Sequence, residues 1–317
     1  MVSSGDGTKG KLIVCAGMAV IDHVYRVDAF PAPGTKNRAR DFFSVLGGCA
    51  ANAAVAISRL GGHARVVAPL GGPPGDDLAG DAVLMQLERE GIDITHAVRI
   101  DGARSSQSSI LIDGSGERLI VSFRDPALER ARPLDPARTI GDADAVLVDN
   151  RFPEFVLPIA RMASGAGKIA VLDGDRPMRL TDDLLTAVTH IVFSADGLRA
   201  TAQIDALAAA LERMTSFTPA FVAVTDGPND MLWLEAGMVR RLPAFRVDVV
   251  DTLAAGDVFH GAFALALAEG RDPERAMQFA AAAAAIKCTR FGGGMGAPER
   301  TELDGLLITK PENRAFQ

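Results

Sequence analysis

Val247-Asp248-Val249-Val250-Asp251-Thr252-Leu253-Ala254-Ala255-Gly256-Asp257-Val258-Phe259-His260-Gly261-Ala262 is the stretch on which the fold of this chain turns. It reads as a strand, Val247–Val250, ending in small residues before a helix that begins near Asp257 and runs to about Glu269. A helix N-terminus presents unpaired N–H groups at the positive end of its dipole and so favours an anion. Ala254, Ala255 and Gly256 have almost no side chain, so an anion can approach those groups closely. Asp257 is the odd member, because a carboxylate repels an anion bound beside it. It makes sense there if it takes a proton from a hydroxyl that attacks a phosphoryl group. A capping aspartate after a turn glycine would account for Gly256-Asp257 alone. It does not account for the whole run Asp251–Asp257 at a strand–helix junction.

Outward from this run, short β-branched segments alternate with amphipathic or Ala-rich ones. Lys11–Ala16, Ala64–Ala68, Ala145–Val148, Lys168–Leu172, His190–Phe193 and Ala220–Val224 read as strands. Ala50–Leu60, Asp76–Glu90, Phe155–Met162 and Ile204–Met214 read as helices. Such alternation predicts βαβ units and a parallel sheet. Gly61 and Gly91 stand where helices end, and Asp272-Pro273 opens the last long helix, which Gly292-Gly293-Gly294 follows. Two regions break the rhythm. Val24–Val45 is extended, and Ser108–Val121 reads as a hairpin with its turn at Asp113–Gly116. A small β flap over one end of the sheet would use both. The expected organisation is a disordered N-terminus over residues 1–10 and a single domain over 11–310, with lid segments at about 23–46 and 104–123.

Composition excludes several classes. Lys and Arg number 33 against 40 Asp and Glu, a net charge of −7, and the chain has one Trp and one Tyr; this argues against a nucleic-acid partner. No apolar run approaches the roughly 20 residues that span a bilayer, so no membrane partner is expected. The N-terminus lacks an apolar signal region, and Cys15, Cys49 and Cys288 form no CxxC pair, which together predict a reduced, cytoplasmic protein. Walker A is absent: Gly167-Lys168 is followed by Ile169. Gly292, Gly294 and Ala297 fit G-x-G-x-x-A only formally, since they follow a helix rather than a strand.

The run Asp251-Thr-Leu-Ala-Ala-Gly-Asp257 resembles the C-terminal signature of the ribokinase-like (PfkB) carbohydrate kinases. Gly47-Gly48-Cys49-Ala50-Ala51-Asn52-Ala53-Ala54 with Arg59-Leu60-Gly61 resembles the N-terminal one, and Gly17 and Asp22 match the family's opening strand. The resemblance extends from about Leu12 to Pro298. It implies a three-layer α/β/α sandwich with a mostly parallel central sheet and a small β-sheet lid. It also implies transfer of the γ-phosphoryl group of ATP to a sugar hydroxyl, with Mg2+. On that resemblance Asp257 is the catalytic base, and the Ala254, Ala255, Gly256 and Asp257 amides form the anion hole. Asp22, Gly47, Gly48 and Asn52 would bind the sugar. Thr225, Gly227, Thr252 and Gly293 would bind nucleotide, and Asp251 would hold a monovalent cation such as K+. Two positions depart from the family pattern: Asp230 stands where a second glycine is common, and Ser194-Ala195-Asp196-Gly197 replaces Asn-x-x-Glu, a magnesium-organising motif.

For the sugar, the resemblance runs to ketose kinases of the ketohexokinase type and most of all to sulfofructose kinase. The matching pieces include Ala103–Ser109, Gly116-Glu117-Arg118, Val171–Asp175, Phe193-Ser194, Val258–Gly261 and Lys287–Arg290. Sulfonate-binding positions of that subgroup align with Lys36, Arg151 and Ser122, the last in place of an asparagine. A primary hydroxyl of a ketose-type sugar, such as the C1 hydroxyl of 6-deoxy-6-sulfofructose, is the expected acceptor. A ribokinase, fructokinase or nucleoside kinase is the alternative in the same chemistry, and a non-catalytic sugar-binding regulator the alternative outside it. Unpaired lid edges predict a homodimer through the lid. His260, one turn past Asp257, reads as a packed histidine rather than a second base.

Overall fold

The computed structural model describes residues 10–115 and 117–309. Except for Gly10, the expected disordered stretch 1–10 lies outside them, as does Gly116 of the expected hairpin turn. The strands are β1 (Leu12–Ala16), β2 (Val20–Arg26), β3 (Asp41–Gly47), β4 (His63–Val67), β5 (Pro69–Gly72), β6 (Val98–Asp101) and β7 (Gln107–Ile112). They continue as β8 (Arg118–Phe123), β9 (Ala145–Asp149), β10 (Ile169–Gly174), β11 (His190–Ser194), β12 (Phe221–Thr225), β13 (Met231–Glu235) and β14 (Met238–Leu242). The helices are α1 (Cys49–Arg59), α2 (Leu78–Arg89), α3 (Pro136–Ile140), α4 (Pro153–Gly165) and α5 (Leu184–Ala187). After them come α6 (Ala195–Ala202), α7 (Leu207–Met214), α8 (Ala255–Ala268), α9 (Pro273–Cys288) and α10 (Arg300–Thr309).

Eight strands form one sheet in the order β14-β13-β12-β11-β10-β9-β1-β4. Neighbours from β12 to β4 are parallel, and β13 and β14 add an antiparallel hairpin at one edge. Alternation along β1 explains the layering. Ile13 and Cys15 pack into a core shared with α1, α2, α8 and α9, while Val14 and Ala16 face the core of α4, α6 and α7. Strands covered on both faces read as unbroken apolar runs, as Ala-Val-Leu-Val in β9 does. Asp272 caps α9 by accepting the Arg275 amide at 2.8 Å, with Pro273 in the first turn, as its sequence predicts.

A smaller sheet, β3-β2-β7-β8, stands apart from the large one. The β7–β8 pair is the expected hairpin, and β2 joins it in parallel. Val24, Ile110 and Ile112 pack with Leu253 and Phe291, which fastens this sheet to the loop before α8.

One expected strand is not formed. Val247–Val250 has no ladder partner, and Val249 and Val250 are 62% and 56% exposed. The amides of Val250 and Asp251 donate instead to the Cys288 carbonyl at the end of α9, at 2.8 and 3.1 Å. Valine favours strands only where a neighbouring strand is free to receive it. Here Met231–Leu242, unmarked by its sequence pattern, takes the sheet edge, and the following segment is bound to a helix end.

Candidate active site

The carboxyl ends of the parallel strands meet the N-termini of α1 and α8, the place where open α/β sheets bind ligands. Asp257 lies in the first turn of α8. Ala254 begins that helix in the left-handed region, at φ 63 and ψ 13, and no side chain caps it. Of the four amides expected to bind an anion, that of Ala255 donates to the Thr252 carbonyl at 3.2 Å. Those of Gly256 and Asp257 have no protein acceptor among the described residues. A methyl group on Gly256 would meet nothing within 4 Å, so this residue is open on its side-chain side.

α1 approaches α8 closely because Gly261 lies on the Ala53 carbonyl, where a Cβ would overlap. Asn52, on α1, thereby donates from Nδ2 to Asp257 Oδ2 at 2.7 Å. A carboxylate only accepts, so this contact orients the amide. Asn52 Oδ1 is buried without a partner among the described residues, an acceptor suited to a ligand hydroxyl.

Asp22, on β2, faces Ser108 on β7, and Ser108 Oγ lies 3.2 Å from Ser122 Oγ on β8. The three form one polar row across the small sheet, on the face turned to Asp257. Gly47 backs Asp22 so closely that any side chain would overlap its carboxylate, and Gly48 turns into α1 with φ 92. Burial pushes Asp22 up to about 6, with the Asp257 carboxylate adding to the shift and the Ser108 hydroxyl opposing it. Asp22, Gly47, Gly48, Asn52, Ser122 and Asp257 are therefore brought together.

Lys36 is not brought in. It sits exposed in the connection between β2 and β3. Arg151, just after β9, is half-buried and ion-paired with Asp175, while its amide donates to Asp149 Oδ1 at 2.9 Å. Its Nε is buried and has no hydrogen-bond partner among the described residues. Burial lowers Arg176, and the guanidinium groups of Arg151 and Arg124 lower it further, so three arginines crowd this corner.

The residues expected to bind nucleotide are ordinary in geometry. Thr225 ends β12 with its hydroxyl 3.4 Å from the Phe193 carbonyl, and Gly227 has φ 56 in the loop that follows. Gly293 has φ 59 and packs beside Leu253; Thr252 is exposed. Asp230 faces Arg241 at 3.6 Å. Ser194 caps α6 by accepting the Gly197 amide at 3.1 Å, and Asp196 is exposed beside Arg199. The one carboxylate of that stretch, Asp196, is thus turned to solvent. Cys49, Asp173 and Asp257 place ligand atoms within 4.8 Å of one another. A thiol in such a set is foreign to Mg2+, which selects oxygen.

Asp149 and Asp173 have no role that the local sequence pattern assigns. Each stands at or next to the end of a buried parallel strand, a position that the topology itself marks. Asp149 accepts the Met18 amide at 2.7 Å, and burial raises it to about 6. Burial raises Asp173 to about 7, against the pull of His260. His260 is fully enclosed. Its Nδ1 lies 2.7 Å from the Gly256 carbonyl, its Nε2 3.0 Å from the Val192 carbonyl and 3.6 Å from Asp173. Only an imidazolium donates to two carbonyls at once. Burial opposes that form, but Asp173 and the two carbonyls outweigh it and hold the pKa above the usual histidine value.

The cation site expected at Asp251 does not fit an added ion. Lys287, fully buried in the last turn of α9, places Nζ 2.7 Å from the Asp251 carbonyl and 3.2 Å from Oδ2. Oδ1 already accepts the Leu253 amide at 2.8 Å.

Comparison with known proteins agrees with this geometry. Residues 11–300 match the model of the pfkB family carbohydrate kinases. The chain belongs to that family. It is accordingly a phosphotransferase that acts on a sugar hydroxyl, and the fold is ribokinase-like. A crystal structure described as "a putative ribokinase from Agrobacterium tumefaciens" superposes with a TM-score of 0.90 at 39% identity, covering 96% of this chain and 99% of that one. The ribokinase of Bacillus subtilis is 29% identical over 93% of this chain and 99% of its own length. An ATP-dependent ribose-1-phosphate kinase of Halopiger xanaduensis is 30% identical over 88% and 93%. Among the described residues, no helix is long and apolar enough to cross a membrane.

Proposed function

We propose that this carbohydrate kinase transfers the γ-phosphoryl group of ATP to a primary hydroxyl of a furanose sugar, a pentose such as ribose or a ketohexose such as fructose. The observation that carries this is Asp257 at an uncapped helix N-terminus, hydrogen-bonded by Asn52 and near enough to Asp22 for the two carboxylates to interact. Asp257 takes the proton of the attacking hydroxyl, and the Gly256 and Asp257 amides meet the charge of the transferring group. Asp22, Asn52 and the Gly47-Gly48 backbone hold the neighbouring hydroxyls. Thr225, Gly227, Thr252 and Gly293 face the nucleotide, whose Mg2+ relies on phosphates and waters.

A neutral sugar suits this pocket better than sulfofructose. Asp22, Asp149 and Asp173 all lie near enough to Asp257 to feel its charge, and Arg151 is already paired with Asp175. An anionic tail is the second reading, favoured by the crowded arginines and the unpartnered Arg151 Nε. Ribose, fructose, fructose phosphates, ribose 1-phosphate, sulfofructose and nucleosides compared as acceptors with ATP separate the two. Highest kcat/KM on a neutral sugar is expected. Preference for an anionic sugar, lost in Arg151→Ala, would move the assignment to the second reading.

Residues 11–310 form, on this reading, one kinase domain with the β3-β2-β7-β8 sheet as its lid, excluding water when closed. The outer face of that sheet, opposite Asp22, carries Tyr25, Phe42, Leu119, Val121 and Phe123. Pairing of two lids through this face would cover it.

A further inference from the structure

Lys287 is an ammonium at 0% exposure, and its placement is unusual for a charge that catalysis does not touch. A buried charge persists only when paired and hydrogen-bonded. Among the described residues, its hydrogen-bond and ion-pair partners belong to Asp251, the residue that opens the loop leading to Asp257. The same carboxylate draws in the amides of Gly292 and Gly293, both at 3.3 Å, and of Leu253. Three segments therefore converge on one carboxylate, whose counter-charge is Lys287: the end of α9, the glycine loop after it and the Asp251–Leu253 turn. The main chain reinforces this, since the Val250 and Asp251 amides donate to the Cys288 carbonyl.

We propose that Lys287 is a tethered replacement for the monovalent cation expected at Asp251, so that the loop before α8 is ordered by the protein's own ammonium and not by K+. An ammonium and K+ make the same demand, a cluster of oxygen atoms around one positive charge. With Nζ on the Asp251 carbonyl and Oδ2, a second cation would meet occupied oxygens and a like charge.

The inference rests on the kinase reading for its activity arm only. Thermal melting is measured without sugar or nucleotide, in tetramethylammonium chloride and in KCl at equal ionic strength. Wild-type protein is expected to melt at the same temperature in both, and its turnover to change by less than about twofold. Activation beyond that, or a K+-dependent rise in melting temperature, overturns the proposal without bearing on whether the protein is a sugar kinase. Lys287→Ser leaves Asp251 buried and uncompensated. This variant is expected to lose turnover by about tenfold or more in tetramethylammonium and to regain much of it, with a higher melting temperature, in KCl or NH4Cl. Full activity without K+, or a loss that neither salt restores, also overturns it. Should Lys287→Ser fail to fold, the wild-type titrations decide the matter alone.

Discussion

Two neighbouring residues separate folding from chemistry. Asp257→Asn keeps the shape of the side chain and removes the base. Turnover is expected to fall by about 10²–10⁴-fold while sugar binding, measured calorimetrically, is kept. Substantial retained turnover would take Asp257 out of that role. Gly256→Ala adds a methyl group where nothing stands within 4 Å. Alanine also favours helix, so unfolding free energy should hold or rise by up to about 1 kcal/mol. On the proposed reading the methyl crowds the approach to the Gly256 and Asp257 amides, so kcat should drop in a protein that denaturant titration shows to be intact. Asp22 gives a pH dependence. Its carboxyl lies at about 6 in the free protein, and sugar hydroxyls donate to the ionised form. Protonation therefore competes with sugar below pH 6, where affinity should weaken by about tenfold per pH unit and level off above it. Calorimetry from pH 5 to 8 checks this, and Asp22→Asn should remove the slope along with most of the affinity.

Among the elements, the pair α1 and α8 matters most, because it sets the distance from Asn52 to Asp257. Their contact depends on Gly261 against the Ala53 carbonyl. Gly261→Val forces the helices apart at an expected cost of about 1–3 kcal/mol. Unlike Gly256→Ala, it should lower stability and kcat together, since the hydrogen bond from Asn52 is stretched. Each helix was legible by itself: Ala50–Leu60 from its apolar face, α8 from the small residues before Asp257. The hydrogen bond between them was not, because it depends on a crossing of residues 205 positions apart in the chain. The strand expected at Val247–Val250 failed for a related reason. Its composition favours β structure, but the sheet edge had been taken by β13 and β14.

At the scale of the whole molecule, the small sheet exposes an apolar face. Phe42 is 52% and Val121 61% exposed on its outer face, a cluster of the kind that marks an interaction surface. A dimer through this face should sediment as such at micromolar concentration, and Val121→Lys with Phe42→Asp should yield monomers. A wild-type protein that sediments as a monomer would refute the pairing.

Local chemistry wrote much of this protein into its sequence. The parallel sheet, the uncapped α8 terminus, Asp257, and the glycines at Gly47-Gly48 follow from residue types and short-range spacing, which act within a few residues. Tertiary structure alone decided the rest. It set Asn52 against Asp257, buried the His260 imidazolium between two carbonyls beside Asp173, committed Arg151 to Asp175, and put Lys287 where an ion was expected. These are meetings of side chains from distant segments. Their charge states are fixed by burial and by the partners found there, and neither exists until the chain has folded.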